Sequence, residues 1–266
     1  MKLSVGFSPC PNDTFIFDAI VNKKIDTKGF DFEFHIEDVE TLNKRAFNQE
    51  LDITKLSFHT YLYLISKYSL LNSGSALGNN CGPILISKTY FPLSEINHQT
   101  IGIPGRYTTA NLLLSLAFPN VVNKTEMLFS DIEDAIIKGK TDAGVIIHEN
   151  RFTYEKRGLK KIIDLGEWWE TETGLPLPLG GIVIKKTFST EVAANINDII
   201  KRSVEFALDN PASSEKFIEQ YAREMDKRVR WEHIKLYVNQ YTVDLGKTGR
   251  EAVDALLKKA KDILPV

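Results

Sequence analysis

The sequence predicts an α/β protein whose two related halves face each other across a ligand cleft, and three observations carry that expectation. Short apolar runs alternate with helical patterns through the first two-thirds of the 266 residues, as in a parallel sheet covered by helices. A strand-loop-helix unit recurs in degenerate form in the second half of the chain. Beyond Thr190 the pattern becomes wholly helical.

Strands are expected at Lys2–Phe7, Phe32–Ile36, Ile53–Leu56, Ile84–Ser87, Thr100–Ile103, Ala143–Ile147 and Gly181–Lys185, each a short apolar run. Helices fill most of the gaps. In the last third, Val192–Leu208, Ser213–Arg223, Val229–Asn239 and Gly249–Ile263 carry apolar residues at three- and four-residue spacing, and Asn210-Pro211 breaks the series.

The repeat is visible where Val5-Gly6-Phe7-Ser8-Pro9-Cys10-Pro11-Asn12-Asp13-Thr14 matches in kind Ile101-Gly102-Ile103-Pro104-Gly105-Arg106-Tyr107-Thr108-Thr109-Ala110. Each reads as a strand, a Pro-bearing turn and capping residues opening a helix. Further on, a helix over Glu40–Glu50 leads to a strand ending at Ser57, and a helix over Asp131–Lys138 leads to a strand ending at His148. Parallel α/β sheets bind ligands at the carboxyl ends of their strands, so two such edges facing each other make a cleft. This is the architecture of a two-lobed type II periplasmic-binding-protein-like fold with a central ligand cleft. The expected division is a larger, discontinuous lobe of residues 1–88 plus 181–266 and a smaller lobe of residues 89–180.

Composition excludes several functions. Thirty-three basic against 35 acidic residues, a net charge of -2, leave no electrostatic footprint for nucleic acid or anionic lipid. No apolar stretch approaches the roughly 18 residues of a membrane span. The opening segment breaks at Gly6 and Pro9 before the apolar region of a signal peptide forms. Cys10 and Cys81, the only cysteines, make no disulfide framework and lack zinc-ligand spacing. A cytoplasmic protein acting on a small carboxylate, without nucleic acid or membrane as partner, is the expectation; monomer and homodimer both stay open.

Three places suit chemistry. Ser8–Phe17, with prolines on both sides of Cys10, is either a stiff capped connection or a loop offering backbone N–H groups to an anion. Cys10 shows no base partner in sequence. Gly105-Arg106-Tyr107-Thr108-Thr109-Ala110-Asn111 puts paired threonines at a helix start, which suits a carboxylate as well as it suits a plain helix cap. His148 stands at the carboxyl end of a buried strand, where an imidazole makes a natural general base; a hydrogen-bonded loop residue is the alternative. His35, His59, His98 and His233 show no metal-binding spacing, so no metal is expected, and Walker, Rossmann and serine-hydrolase motifs are absent. Trp168-Trp169 and Leu175–Gly181 read as a packed crossover or as a wall against a ring-bearing substrate.

Several of these strings together resemble one family. Ser8–Phe17, Glu37–Asn43, Thr54–Ser57, Pro104–Ala110, Ile146–Tyr154 and Gly174–Gly180 look like the 1,4-dihydroxy-6-naphthoate synthase (MqnD) family of the futalosine route to menaquinone, over most of the chain. The resemblance implies a carbon-carbon lyase without cofactor, with cyclic dehypoxanthine futalosine as substrate. It implies His148 as the base, Lys55-Leu56-Ser57 and Thr108-Thr109 as substrate-contacting segments, and Asn12, Asp13, Thr14 and Asn111 as further cleft residues. The rival expectations are a carboxylate-binding protein of the same fold without catalysis and the sibling chorismate dehydratase.

Overall fold

A computed structural model describes residues 1–223 and 226–264. The chain begins with strand β1 (Lys2–Phe7), helix α1 (Pro11–Val21), β2 (Asp31–Ile36), α2 (Val39–Phe47), β3 (Ile53–Ser57) and α3 (Phe58–Leu64). It continues through β4 (Tyr68–Leu70), β5 (Ala76–Gly78), β6 (Ile84–Ser87), β7 (Ile101–Ile103), α4 (Thr109–Ala117) and β8 (Lys124–Glu126). Then come α5 (Ile132–Ile137), β9 (Ala143–Ile146), β10 (Lys160–Asp164), α6 (Leu165–Thr173) and β11 (Leu177–Lys185). Five helices close the described chain: α7 (Thr190–Asp209), α8 (Glu215–Tyr221), α9 (Lys227–Tyr237), α10 (Gln240–Val243) and α11 (Gly246–Ile263). Among the described residues no helix is long and apolar enough to cross a membrane.

Two sheets result. One runs β2-β1-β3-β11-β4 with β5 also on β11, and the other runs β10-β6-β9-β7-β8. In the first, β1 lies parallel between β2 and β3, and β11 joins β3 antiparallel. In the second, β7 lies parallel between β8 and β9, and β6 joins β9 antiparallel. The repeat read from sequence is therefore a repeat of sheet topology, with β1, β2 and β3 answered by β7, β8 and β9. Because β6 pairs in the second sheet, the chain changes sheets before Ile84, ahead of the Lys88 expected from sequence. An isolated, fully buried apolar strand such as Ile84–Ser87 carries no mark of which sheet it joins.

Packing follows from the apolar patterns. Helix α7 buries Ile196, Ile199, Ile200, Val204 and Ala207 at helical spacing against α1 and β1, where Phe7 stacks on Phe17 at 4.4 Å. The Ser203 hydroxyl donates to the Ile16 carbonyl at 2.6 Å in the same layer. Helix α11 turns Ala252, Val253, Leu256 and Ala260 onto a separate core that includes Phe58 of α3, Leu112 and Leu113 of α4, and Trp169 of α6. The last helix thus stitches the two halves together.

The start of α1 is fixed electrostatically. Pro11 opens the helix with its preset φ, and Asp13 in the first turn is buried. Its carboxylate accepts from the Ser8 N–H at 3.1 Å, the Ser8 hydroxyl at 2.7 Å, the Asn12 amide at 2.9 Å and the Lys55 ammonium at 2.8 Å. Lys55 also donates to the Gly74 carbonyl at 3.2 Å, so one buried ion pair ties α1 to β3 and to the turn before β5. Removing one member of such a pair strands the other charge. Lys55→Met is therefore expected to lower the unfolding free energy by about 3–5 kcal/mol, with Asp13→Asn/Lys55→Met recovering part of the loss in urea titrations. Equal stability of the single and double variants contradicts the pairing.

Candidate active site

The ends of β1, β3 and β9 and the loop after β7 converge on a cleft of about 660 Å³, its open mouth included. Of the residues expected from sequence, His148, Lys55, Leu56, Ser57, Thr108, Thr109, Asn12 and Asp13 line it. Thr14 and Asn111 do not. The Thr14 hydroxyl donates back to the Cys10 carbonyl at 3.1 Å, and the Asn111 amide donates to the Arg106 carbonyl at 2.7 Å while accepting from Lys124. Both secure the loops that bear the cleft residues. Trp169 is buried with its indole N–H on the Pro176 carbonyl, and from the crossover it is Leu179 and Gly180 that face the cleft.

His148 sits just past β9 in a left-handed backbone conformation, φ 57°, unusual for a residue with a Cβ. Its Nδ1 lies 3.4 Å from the Cys10 sulfur, and its Nε2 is buried without a hydrogen-bond partner among the described residues. Burial drives its pKa down to about 4 against the opposing charges of Asp13 and Asp38, so the imidazole is neutral near pH 7. Burial likewise pushes the Cys10 thiol well above its ordinary range, aided by the charge of Glu149, so Cys10 is a protonated thiol rather than a nucleophilic thiolate. The edge of Phe129 meets the His148 ring, with centroids 4.8 Å apart, and holds it from another side.

Opposite stands the loop before α4. Thr108 caps the helix, its hydroxyl accepting from the Asn111 N–H and donating to the Gly105 carbonyl at 2.9 Å. Thr109 donates to the Leu179 carbonyl at 2.6 Å. Both hydroxyl protons are thus committed within the protein, and what the helix start offers a ligand is its first-turn N–H groups at Thr109 and Ala110. Ser57 differs: its N–H donates to the Asn43 side-chain oxygen at 3.0 Å and its hydroxyl accepts from the Asn43 amide at 3.1 Å, which leaves the hydroxyl proton for a ligand. The walls are latched across the halves. Glu40 of α2 accepts from the Tyr107 N–H at 3.2 Å, and a Cβ at Gly105, where φ is 138°, would lie 2.6 Å from the Glu40 carboxyl carbon.

Sequence reasoning missed His233, Tyr237 and Cys81, which also line the cleft. Asn12 gives its amide to Asp13, so its oxygen accepts from His233 Nε2 at 2.9 Å. His233 therefore carries its proton on Nε2, leaving Nδ1 a buried acceptor without a partner among the described residues. Burial, with the charges of His148 and Arg151, holds its pKa well below the ordinary value. Only the folded packing of α9 against α1 brings this side chain to the cleft, and a single histidine in an amphipathic helix signals nothing by spacing.

Comparison with known proteins shows the family and the fold. A menaquinone biosynthesis family model matches residues 3–262. A Thermus thermophilus protein named 1,4-dihydroxy-6-naphtoate synthase is 40% identical over 259 residues, covering 97% of this chain and 94% of its own. One of the same name from Streptomyces coelicolor is 38% identical over 264 residues, covering 97% and 92%. A solved structure from Archaeoglobus fulgidus superimposes with a TM-score of 0.91 at 37% identity, covering 98% of this chain and 96% of that one. The alkanesulfonate-binding protein of Xanthomonas axonopodis pv. citri, at 12% identity and a TM-score of 0.74 over 100% of this chain and 94% of its own, shares the fold alone. The architecture is thus the periplasmic-binding-protein fold read from sequence, and the chain belongs to the menaquinone biosynthesis family.

Proposed function

We propose that this protein is a 1,4-dihydroxy-6-naphthoate synthase, a carbon-carbon lyase that converts cyclic dehypoxanthine futalosine in menaquinone biosynthesis, with His148 as general base. The carrying observation is a neutral imidazole whose buried Nε2 has no partner among the described residues, in the same cleft as an anion-receptive helix start. Likeness to two synthases over nearly the whole chain supports the reading.

In this mechanism the substrate carboxylate docks on the first-turn N–H groups of α4 and the Ser57 hydroxyl. The two halves move as lobes and close, expelling water and fixing the base within reach of its proton. His148 Nε2 then takes a proton from the carbon skeleton, which requires its own proton on Nδ1, directed at the Cys10 sulfur. Loss of the sugar-derived fragment lets the ring aromatise. His233 Nδ1 is placed to accept from a substrate hydroxyl. A cytoplasmic setting is consistent with two free, buried cysteines.

With cyclic dehypoxanthine futalosine as substrate, His148→Ala is expected to lower kcat by about 10²–10⁴-fold with the far-ultraviolet circular dichroism unchanged. Near-wild-type turnover removes His148 from the role, and substrate recovered intact from the wild-type protein identifies a binding protein instead. Turnover should stay insensitive to the titration of His148 at neutral pH and fall only as the imidazole protonates near its pKa of about 4.

Burial of neutral imidazoles also sets the acid stability. His148 and His59 both have pKa values of about 4 in the folded protein against 6.5 when exposed. Above pH 6.5 neither contributes; between 6.5 and 4 the unfolded chain binds protons that the folded one refuses. Unfolding free energy should therefore fall with acidification across that window, by at most about 1.4 kcal/mol per pH unit for each imidazole. A stability flat from pH 7 to 4.5 contradicts their burial as neutral groups.

A further inference from the structure

Three side chains separated by up to 139 positions in sequence meet at His148, the one of them that lines the cleft. Cys10 at the start of α1 and His148 and Glu149 after β9 bring a sulfur, an imidazole nitrogen and a carboxylate oxygen all within 4.8 Å of one another. Cys10 and Glu149 are buried, and His148 is half-buried. Their sequence spacing conceals the cluster, because the fold and not a short motif assembles it.

The geometry can be compared with what a metal demands. A tetrahedral zinc ion bound by thiolate at about 2.3 Å and imidazole at about 2.0 Å holds those two ligand atoms about 3.5 Å apart. Here Sγ and Nδ1 stand 3.4 Å apart, and with the carboxylate oxygen the three atoms lie within 4.8 Å, so the carboxylate closes in as the ion binds. The donor set is sulfur, nitrogen and one carboxylate, which suits zinc or cobalt; magnesium and calcium call for oxygen alone. Thiolate and carboxylate together also neutralise a dication.

We infer that Cys10, His148 and Glu149 form a binding site for a thiophilic divalent cation of the zinc or cobalt class, with one coordination position left open toward the cleft. Binding is a simple exchange: the dication replaces the thiol proton, which goes to solvent, and no oxidation state changes. The same Glu149 charge that helps keep the thiol protonated draws the cation in. A consequence rests on the proposed reading of His148 as the base. Metal on Nδ1 leaves the ring proton on Nε2, converting the base into a donor, so the ion is a reversible inhibitor.

The test is a Co²⁺ titration of the chelator-treated full-length protein, followed by absorption. The expected result is a near-ultraviolet thiolate-to-cobalt charge-transfer band with intense visible bands of tetrahedral coordination, bleached by Zn²⁺. Cys10→Ser should abolish the charge-transfer band and Cys81→Ser keep it, while Glu149→Gln should weaken Co²⁺ binding at least tenfold. If Cys10→Ser misfolds, His148→Gln serves in its place and should weaken binding to a similar degree. No charge-transfer band in the wild-type protein, or one that survives Cys10→Ser, overturns the site. Because the readout is optical, it stands apart from activity: cobalt bound through Cys10 with turnover unaffected keeps the metal site and removes the base assignment.

Discussion

One buried carboxylate, Asp13, holds the site in place. With four donors on its two oxygens it fixes the turn after β1 through Ser8, the first turn of α1 through Asn12, and β3 through Lys55. Asn12 extends the network to α9 by accepting from His233. Everything that Cys10 and His148 do depends on this anchor, because Cys10 lies between Ser8 and Asn12 and reaches His148 only if that turn is rigid. A charge so deeply buried is costly, and complete satisfaction by hydrogen bonds is what makes it tolerable.

A second constraint comes from the doubled topology. Two sheets of the same strand order present loop, helix start and strand end at the cleft, so the serine that ends β3 and the imidazole two residues past β9 lie near corresponding strand ends of the two halves, one position apart in register. The halves have diverged in chemistry at these strand ends. Ser57, held by Asn43, keeps a hydroxyl proton to give, whereas His148, desolvated and bent into a left-handed backbone, keeps a lone pair. In the proposed elimination the first would hold the substrate's anionic group and the second would take its proton.

Much of this was legible in the sequence, for identifiable reasons. The strands that carry the site are apolar runs bounded by turn chemistry, and the recurrence of a Pro-bearing turn before a capped helix exposed the two-fold plan. His148, Ser57, Thr108 and Thr109 stand out in the sequence because each ends or follows such a strand or opens such a helix. The strands β4, β5, β8 and β10 escaped, being three to five residues long and without alternation. Thr14 and Asn111 have the right types at the right loops but turn inward to hold those loops, a difference that residue type does not encode. The Cys10–His148 contact and the approach of His233 are products of tertiary packing alone, the partners they join standing 138 and 221 positions apart in sequence.

The proposed chemistry turns on the protonation state of one imidazole. A pH titration of the protein with ¹⁵N-labelled histidine, with the His148 resonances assigned from the difference made by His148→Gln, reads that state directly. The expected spectrum keeps His148 neutral through physiological pH, with protonation beginning only toward its depressed pKa of about 4. A His148 that titrates near 6.5, as an exposed imidazole does, contradicts both its burial and its assignment as a base that is neutral at rest.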